Sequence, residues 1–308
     1  MTTTLPYFDA EAVRRGTPMP DLIAALRAGF AGDAVAPARH AHVLGGEASL
    51  LLMPAWVPGG DLGLKVTVVD RAASPAVRAS YLLMDQTTAV PVAILDGTVL
   101  TARRTAAASA LAADYLARPD AETLLILGSG ALAPVMVEAH AAVRPIKRVL
   151  VWARNSAKGA ALADTLVVQG FDARSVRDID AALPLADIVS AATLAKAPLI
   201  RGAALKPGAH VDLVGAFQPD MGEADGETFA RCRVFVDTFG GALTEAGDLL
   251  QAIATGHLTP SDIQGDLKAL CRGDARGRRH ADELTLFKSV GTALEDLAAA
   301  RLVVSRHA

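Results

Sequence analysis

Hydrophobic and polar positions change rhythm several times along the chain. After a short extended piece at the start, Asp9 stands where it can cap a short helix. From Met19, the residues Leu22, Ile23, Leu26 and Phe30 recur at helical spacing and predict an amphipathic helix ending near Gly32. Between Ala36 and Gly97 the apolar residues come instead in short runs broken by glycine and proline, at 39–44, 48–54, 61–69, 79–85 and 91–95, which predicts an antiparallel sheet. Within the third run, alternation puts Leu62, Leu64, Val66 and Val68 on one face and Lys65 with Thr67 on the other. The alanine-rich stretch 100–114 has no breakers and predicts a helix with Arg103 and Arg104 at its start, where cations oppose the helix dipole and call for a nearby anion.

Beyond Pro119 the pattern alternates between apolar runs and helical periodicity. Strands are expected at 123–127, 148–152, 173–175, 188–191, 210–214 and 233–236, with helices after Ala133, over 157–169 and near 179–183. This βαβ order predicts an α/β fold with a doubly wound parallel sheet. A last helix is expected over 284–302, where Leu286, Val290, Ala293, Leu294 and Leu297 share one face. It would return the chain to the first block. The boundaries that follow are 1–118 plus 285–308 for a mixed α+β domain, with 119–284 inserted as the doubly wound domain.

The most informative motif stands at the first of these strands. Gly128-x-Gly130-x-x-Ala133 follows an apolar run and precedes a helical pattern, as a Rossmann-type dinucleotide fingerprint does. The glycines allow a tight turn, and the backbone of Gly128, Ser129, Gly130, Ala131 and Leu132 can approach a pyrophosphate at the positive end of the following helix. At the end of the second strand, the position that would hold a ribose-binding acid is Ala153, followed by Arg154, Asn155 and Ser156. A guanidinium with two polar neighbours suits a 2′-phosphate, so NADP(H) is expected over NAD(H). Thr193 closes a further strand, where it would line the nicotinamide side.

Composition narrows the alternatives. Hydrophobic residues make up 52% of the chain, enough for a sizeable core in two domains. A net charge of -3 leaves no basic excess for nucleic acid, and the Arg272–Arg279 cluster is expected to be a solvated loop. Two widely separated cysteines, Cys232 and Cys271, indicate neither a disulfide framework nor a metal site. No secretory signal and no apolar span of membrane length is legible, so a cytoplasmic protein without membrane association is expected.

Several stretches together resemble the ornithine cyclodeaminase/mu-crystallin family. They are Leu100-Thr-Ala-Arg-Arg-Thr-Ala-Ala107, Gly128-Ser-Gly130, Glu245-Ala-Gly-Asp-Leu-Leu250 and Thr285-Leu-Phe-Lys-Ser-Val-Gly291. The resemblance implies a homodimer in which the terminal blocks form the substrate-binding and dimerisation domain around an inserted dinucleotide-binding domain. It implies substrate-carboxylate cations at Arg39, Lys65 and Arg104, with Thr105 toward the cofactor. Amine-oxidising members carry an aspartate after Gly-Gly or Gly-Ala; here that slot is Phe217, and Asp220 follows three residues later as in the cyclic ketimine reductases.

These features point to reduction of Δ1-pyrroline-2-carboxylate or Δ1-piperideine-2-carboxylate. Arg39 and Arg104 would hold the carboxylate, Asp220 would lie toward the substrate, and Lys65, its pKa lowered by burial and neighbouring cations, would donate the proton or orient the substrate while a water donates it. Ornithine cyclodeaminase, an alanine-type dehydrogenase and a non-catalytic NADP-dependent binder are the alternatives.

Overall fold

The computed structural model describes residues 5–46, 48–70, 72–73 and 77–307. Two units emerge from the packing of the chain, one made of Met1–Ala108 with Gly291–Ala308, the other of Ser109–Val290.

The first unit is built on a mixed sheet. Its elements are β1 (Tyr7–Phe8), α1 (Ala10–Gly16), α2 (Met19–Ala31), β2 (His40–Gly45), β3 (Ala48–Trp56), β4 (Asp61–Asp70), β5 (Val77–Asp85), β6 (Pro91–Asp96) and the beginning of α3 (Gly97–Leu116). Asp9 caps α1 by accepting from Ala12 N at 2.8 Å, as its position in the sequence suggested. The strands run in the order β1-β6-β5-β4-β3-β2, antiparallel except for the short β1, which pairs parallel with β6. In β4 the expected alternation holds, but burial runs against the usual reading. Lys65 and Thr67 are buried, whereas Val66 and Val68 are exposed and Leu62 and Leu64 half-exposed. The charged side of the strand faces inward.

The second unit is doubly wound. It contains β7 (Thr123–Leu127), α4 (Ala133–Val143), β8 (Arg148–Trp152), α5 (Ser156–Val168), β9 (Asp172–Val176), α6 (Ile179–Ala182), β10 (Ile188–Ala191), β11 (His210–Leu213) and α7 (Gly226–Arg231). It continues through β12 (Arg233–Val236), α8 (Phe239–Glu245), α9 (Gly247–Ala254), β13 (Ile263–Asp266), α10 (Leu267–Arg272) and β14 (Thr285–Lys288). All eight strands are parallel, in the order β13-β12-β14-β11-β10-β7-β8-β9. The chain winds outward from β7 through β8 to β9, then returns to the other side of β7 at β10. That reversal is the switch point at which open α/β sheets bind ligands beyond the carboxyl ends of their strands.

Three expectations need correction. The last helix, α11 (Ala293–Ser305), begins nine residues later than its expected start at 284, because Thr285–Lys288 is β14, inserted between β11 and β12. A four-residue strand buried on both faces reads as a continuous apolar run, and periodicity alone cannot tell it from a helical segment. Gly291, at φ +82°, separates the two elements. Second, α3 begins at Gly97, which places Arg103 and Arg104 well inside it rather than at its start. Third, Arg278 belongs to no solvated loop: it is half-buried and donates to the carbonyl of Leu116 at 2.6 Å and to Thr285 Oγ1 at 3.0 Å.

Candidate functional site

The inward face of β4 carries one group of candidate residues, all within the first unit. Lys65 Nζ lies 2.7 Å from Asp296 Oδ2, and the two side chains are 2% and 0% exposed. The other oxygen of Asp296 accepts from Arg104 Nε at 3.0 Å, while Arg104 NH1 donates to Glu295 Oε2 at 2.6 Å. Arg39 donates to the carbonyl of Gly291 at 2.7 Å. Thus β4, α3, α11 and the segment before β2 bring together the three cations singled out in the sequence. Thr105, the next residue on α3, is buried.

Two conditions make this arrangement possible. A Cβ on Gly291 would lie 2.4 Å from Arg104 NH1, so only glycine lets the guanidinium approach, and the positive φ there suits it as well. Across the sheet from Lys65, the fully buried Tyr81 takes the space left by Gly63, whose Cβ would meet the tyrosine hydroxyl. Burial, with the nearby Asp296 and Asp61, pushes the Tyr81 phenol well above its ordinary range.

Electrostatics then set the protonation states. Burial lowers the Lys65 pKa to about 8; the Asp296 carboxylate works against this, and the Arg104 charge with it. Burial also disfavours the charged form of Arg104, but Asp296 and Glu295 outweigh it and hold the guanidinium protonated above its usual value. Arg104 and Lys65 share the acids Asp296 and Glu295, and Arg39 approaches the same group through the Gly291 carbonyl. Glu295 and Asp296 escaped the sequence reading because acids inside a helix ordinarily face solvent. The available signal was their position in an otherwise apolar helix.

A second, separate group of candidate residues lies in the other unit, at the carboxyl ends of β7, β8, β10 and β11. Gly128 follows β7 at φ +121°, and a Cβ on it would stand 2.9 Å from the carbonyl oxygen of Ala192 and 3.6 Å from the Thr193 methyl. Gly130 opens on space, and the segment Ser129–Leu132 is half-buried or exposed. At the start of α4, Leu132 supplies no side-chain cap, unlike Asn155 at α5 or Asp225 at α7. A helix N-terminus without a side-chain acceptor, preceded by glycine backbone, fits an anionic group. After β8, Ala153 is buried while Arg154, Asn155 and Ser156 are exposed; the Asn155 oxygen caps α5 by accepting from Lys158 N at 3.2 Å.

Thr193 is held differently from the sequence expectation of a ligand-facing hydroxyl. Its backbone N and Oγ1 both donate to Glu223 Oε1, at 2.6 and 2.8 Å. Glu223 is fully buried, and its Oε2 accepts from Gly215 N at 2.7 Å. Asp220 is exposed and pairs with Lys196 at 2.8 Å on the surface of this unit. Phe217 is half-buried.

The comparisons with known proteins agree with one another. A sequence profile described as the ornithine cyclodeaminase/mu-crystallin family matches residues 9–308. The chain is 40% identical over 302 residues to a Delta(1)-pyrroline-2-carboxylate reductase of Paracoccus denitrificans, covering 96% of this chain and 91% of that one. It is 36% identical over 271 residues to the ketimine reductase mu-crystallin of Mus musculus, covering 86% and 81%. The solved Delta(1)-pyrroline-2-carboxylate reductase of Thermococcus litoralis, in complex with NADH and L-proline, superimposes with a TM-score of 0.94 at 30% identity over 98% of this chain and 97% of that one. An archaeal alanine dehydrogenase dimer with bound NAD gives a TM-score of 0.90 at 25% identity, covering 98% and 95%.

Proposed function

Because the chain belongs to the ornithine cyclodeaminase/mu-crystallin family, we propose that it is a nicotinamide-dependent oxidoreductase that reduces cyclic α-imino acids. Its substrate is Δ1-pyrroline-2-carboxylate, its six-membered homologue Δ1-piperideine-2-carboxylate, or both, and the products are proline and pipecolate. The observation that carries this reading is the cluster of Arg39, Lys65 and Arg104 about Asp296 and Glu295, with Lys65 and Arg104 buried and Arg39 half-buried.

Each residue has a task in the reduction. Arg39 and Arg104 hold the substrate carboxylate, for which the planar guanidinium is the best-matched donor. Arg104 stays charged throughout, since its two acidic partners oppose deprotonation. The Lys65 ammonium gives a proton to the imine nitrogen: an N–H bond forms on the substrate as one Nζ–H bond breaks, and the neutral amine recovers its proton from solvent. A pKa of about 8 suits that exchange, because a proton donor works best when its pKa lies near the working pH. The backbone of Gly128–Leu132 and the start of α4 hold the pyrophosphate of the dinucleotide. When bound, the dinucleotide supplies the hydride for the C=N carbon.

Two finer assignments go with this reading. Arg154, after a β8 that ends without an acid, favours NADP(H) over NAD(H) by pairing with the 2′-phosphate. The first unit binds the substrate and pairs with a second copy of the chain. Leu50, Leu52, Leu64, Val66, Val68 and Leu82 form a half-exposed apolar sheet face, larger than the scattered apolar residues of an ordinary surface.

Phe217 separates the imine reading from oxidation of ornithine. An amine substrate needs a base to lose its proton before hydride departure, and a phenylalanine offers none. The test is a panel of both imines, ornithine, and pyruvate with ammonia, each with NADPH and NADH, followed by dinucleotide absorbance. Rapid oxidation with the imines is expected, and NADPH should be preferred. No oxidation with either imine, from mildly acidic to alkaline pH, would remove the proposal.

A further inference from the structure

Glu223 lies outside the Lys65 group and outside the fingerprint, yet it joins two of the loops at the sheet's switch point. It accepts three hydrogen bonds while fully buried: Thr193 N and Thr193 Oγ1 on one oxygen, Gly215 N on the other. Thr193 follows β10 and Gly215 follows β11, so one carboxylate ties the loops after two neighbouring strands. The tie is close. A Cβ on Gly215 would stand 2.0 Å from the Thr193 carbonyl oxygen and 2.4 Å from Glu223 Oε1. The Glu223 backbone adds to it, accepting from the amides of Leu199 and Ile200 at 2.9 Å.

The same loop touches the fingerprint. Ala192 N donates to the carbonyl of Leu127, the last residue of β7, at 3.0 Å. The Ala192 carbonyl and the Thr193 methyl face the position where a Cβ on Gly128 would be. The contacts therefore run from Glu223 to Thr193, from the Ala192–Thr193 loop to Gly128, and from Gly128 into the turn that opens α4.

We propose that Glu223 is a positioning residue for the dinucleotide: through Thr193 it fixes the loop after β10, against which the Gly128 turn takes its binding shape. This rests on the reading of residues 109–290 as the dinucleotide-binding unit. The carboxylate is suited to the task because both oxygens act only as acceptors when it is ionised. Burial pushes the Glu223 carboxyl up to about 7, with the Lys288 charge from β14 pulling it down and the Asp248 charge from α9 pushing it further up. Below neutrality a proton occupies one of those oxygens, and the tie to Thr193 or to Gly215 weakens.

Titration of the full-length protein with NADH, followed by dinucleotide fluorescence, tests this without requiring turnover. NADH is the suitable probe because it lacks a 2′-phosphate that titrates in the same range. Glu223→Gln places an amide N–H where one of the three donors points. The expected result is a Kd for NADH raised at least about tenfold with the circular dichroism spectrum unchanged. Wild-type affinity should weaken as the pH falls from about 8 to about 6, and the variant should lose that dependence. A Glu223→Gln protein that binds NADH within twofold of wild type, or keeps the wild-type pH dependence, overturns the proposal. Should that variant fail to fold, Thr193→Val, which deletes only the hydroxyl donor, decides: a several-fold weaker Kd supports the tie, and an unchanged one overturns it. Wild-type protein that binds neither NADH nor NADPH removes the underlying reading as well.

Discussion

Asp296 offers the most direct test of the proton-donor argument, because it holds Lys65 and Arg104 at once. Its Oδ2 lies 2.7 Å from Lys65 Nζ and its Oδ1 3.0 Å from Arg104 Nε, all three side chains being buried. Asp296→Asn keeps the shape and removes the charge. Two unit charges at that distance attract by about 6 kcal/mol at an effective dielectric near 20. An amide oxygen at the same place, together with local relaxation, leaves a net loss on the order of 2–3 kcal/mol, or about two pKa units on Lys65. Lys65 would then move from about 8 to about 6. At pH 7.5 its protonated share would fall from about three quarters to a few per cent, a loss of about 25-fold in kcat/KM if Lys65 supplies the proton.

The assay is imine-dependent dinucleotide oxidation from about pH 5.5 to 9.5, with NADH binding and thermal unfolding as controls. The alkaline limb of kcat/KM, which reports the free enzyme, should move toward acid by about two units. An alkaline limb left in place, with kcat/KM within twofold of wild type, would refute Lys65 as the donor. A collapse of folding without a shift would assign Asp296 a structural role instead.

Other expectations follow from single residues. Arg154→Ala should weaken NADPH binding about tenfold or more and leave NADH binding within twofold; equal losses for both would contradict pairing with the 2′-phosphate. If the exposed apolar sheet face pairs two copies as proposed, wild type should sediment as a dimer and Val66→Lys as a monomer; a monomeric wild type or a dimeric variant would count against that face. His210 is fully buried, and burial lowers its pKa to about 3. Its unfolded form takes up a proton below about 6.5 while the folded form does not, so its contribution is complete above that pH and is lost as the pH falls toward 3. The loss by pH 5 is about 2 kcal/mol. Glu223, raised to about 7, works in the opposite sense between about 4.5 and 7. Comparing wild type with His210→Asn in urea at pH 7 and 5 isolates the histidine: the variant should lose less stability on acidification, and parallel losses would count against the argument.

Much of this architecture is written in local patterns. Period-2 alternation in β4, helical spacing in α2 and the glycines after β7 each reflect a constraint acting within a few residues, so one chain suffices to see them. Alternation could also separate Lys65 from Leu64 and Val66. It could not say which side faces inward. That choice is made by Asp296, which reaches Lys65 from α11 and offsets the cost of burying its ammonium, while Arg104 of α3 shares the same carboxylate.

The same holds for β14 and Glu223. Thr285–Lys288 is a strand that pairs with β11 on one side and β12 on the other, and a four-residue segment with only two apolar residues carries no period that reveals this. Glu223 matters because Thr193 and Gly215 converge on it from the loops after β10 and β11, although Thr193 is thirty residues away in sequence. Sequence by itself determined most of the elements and the dinucleotide fingerprint, and through family resemblance it singled out the three cations. Only the tertiary structure decided which carboxylates balance those cations and which loops a buried acid ties together, because Coulomb interaction and burial depend on distances between elements that no local pattern encodes.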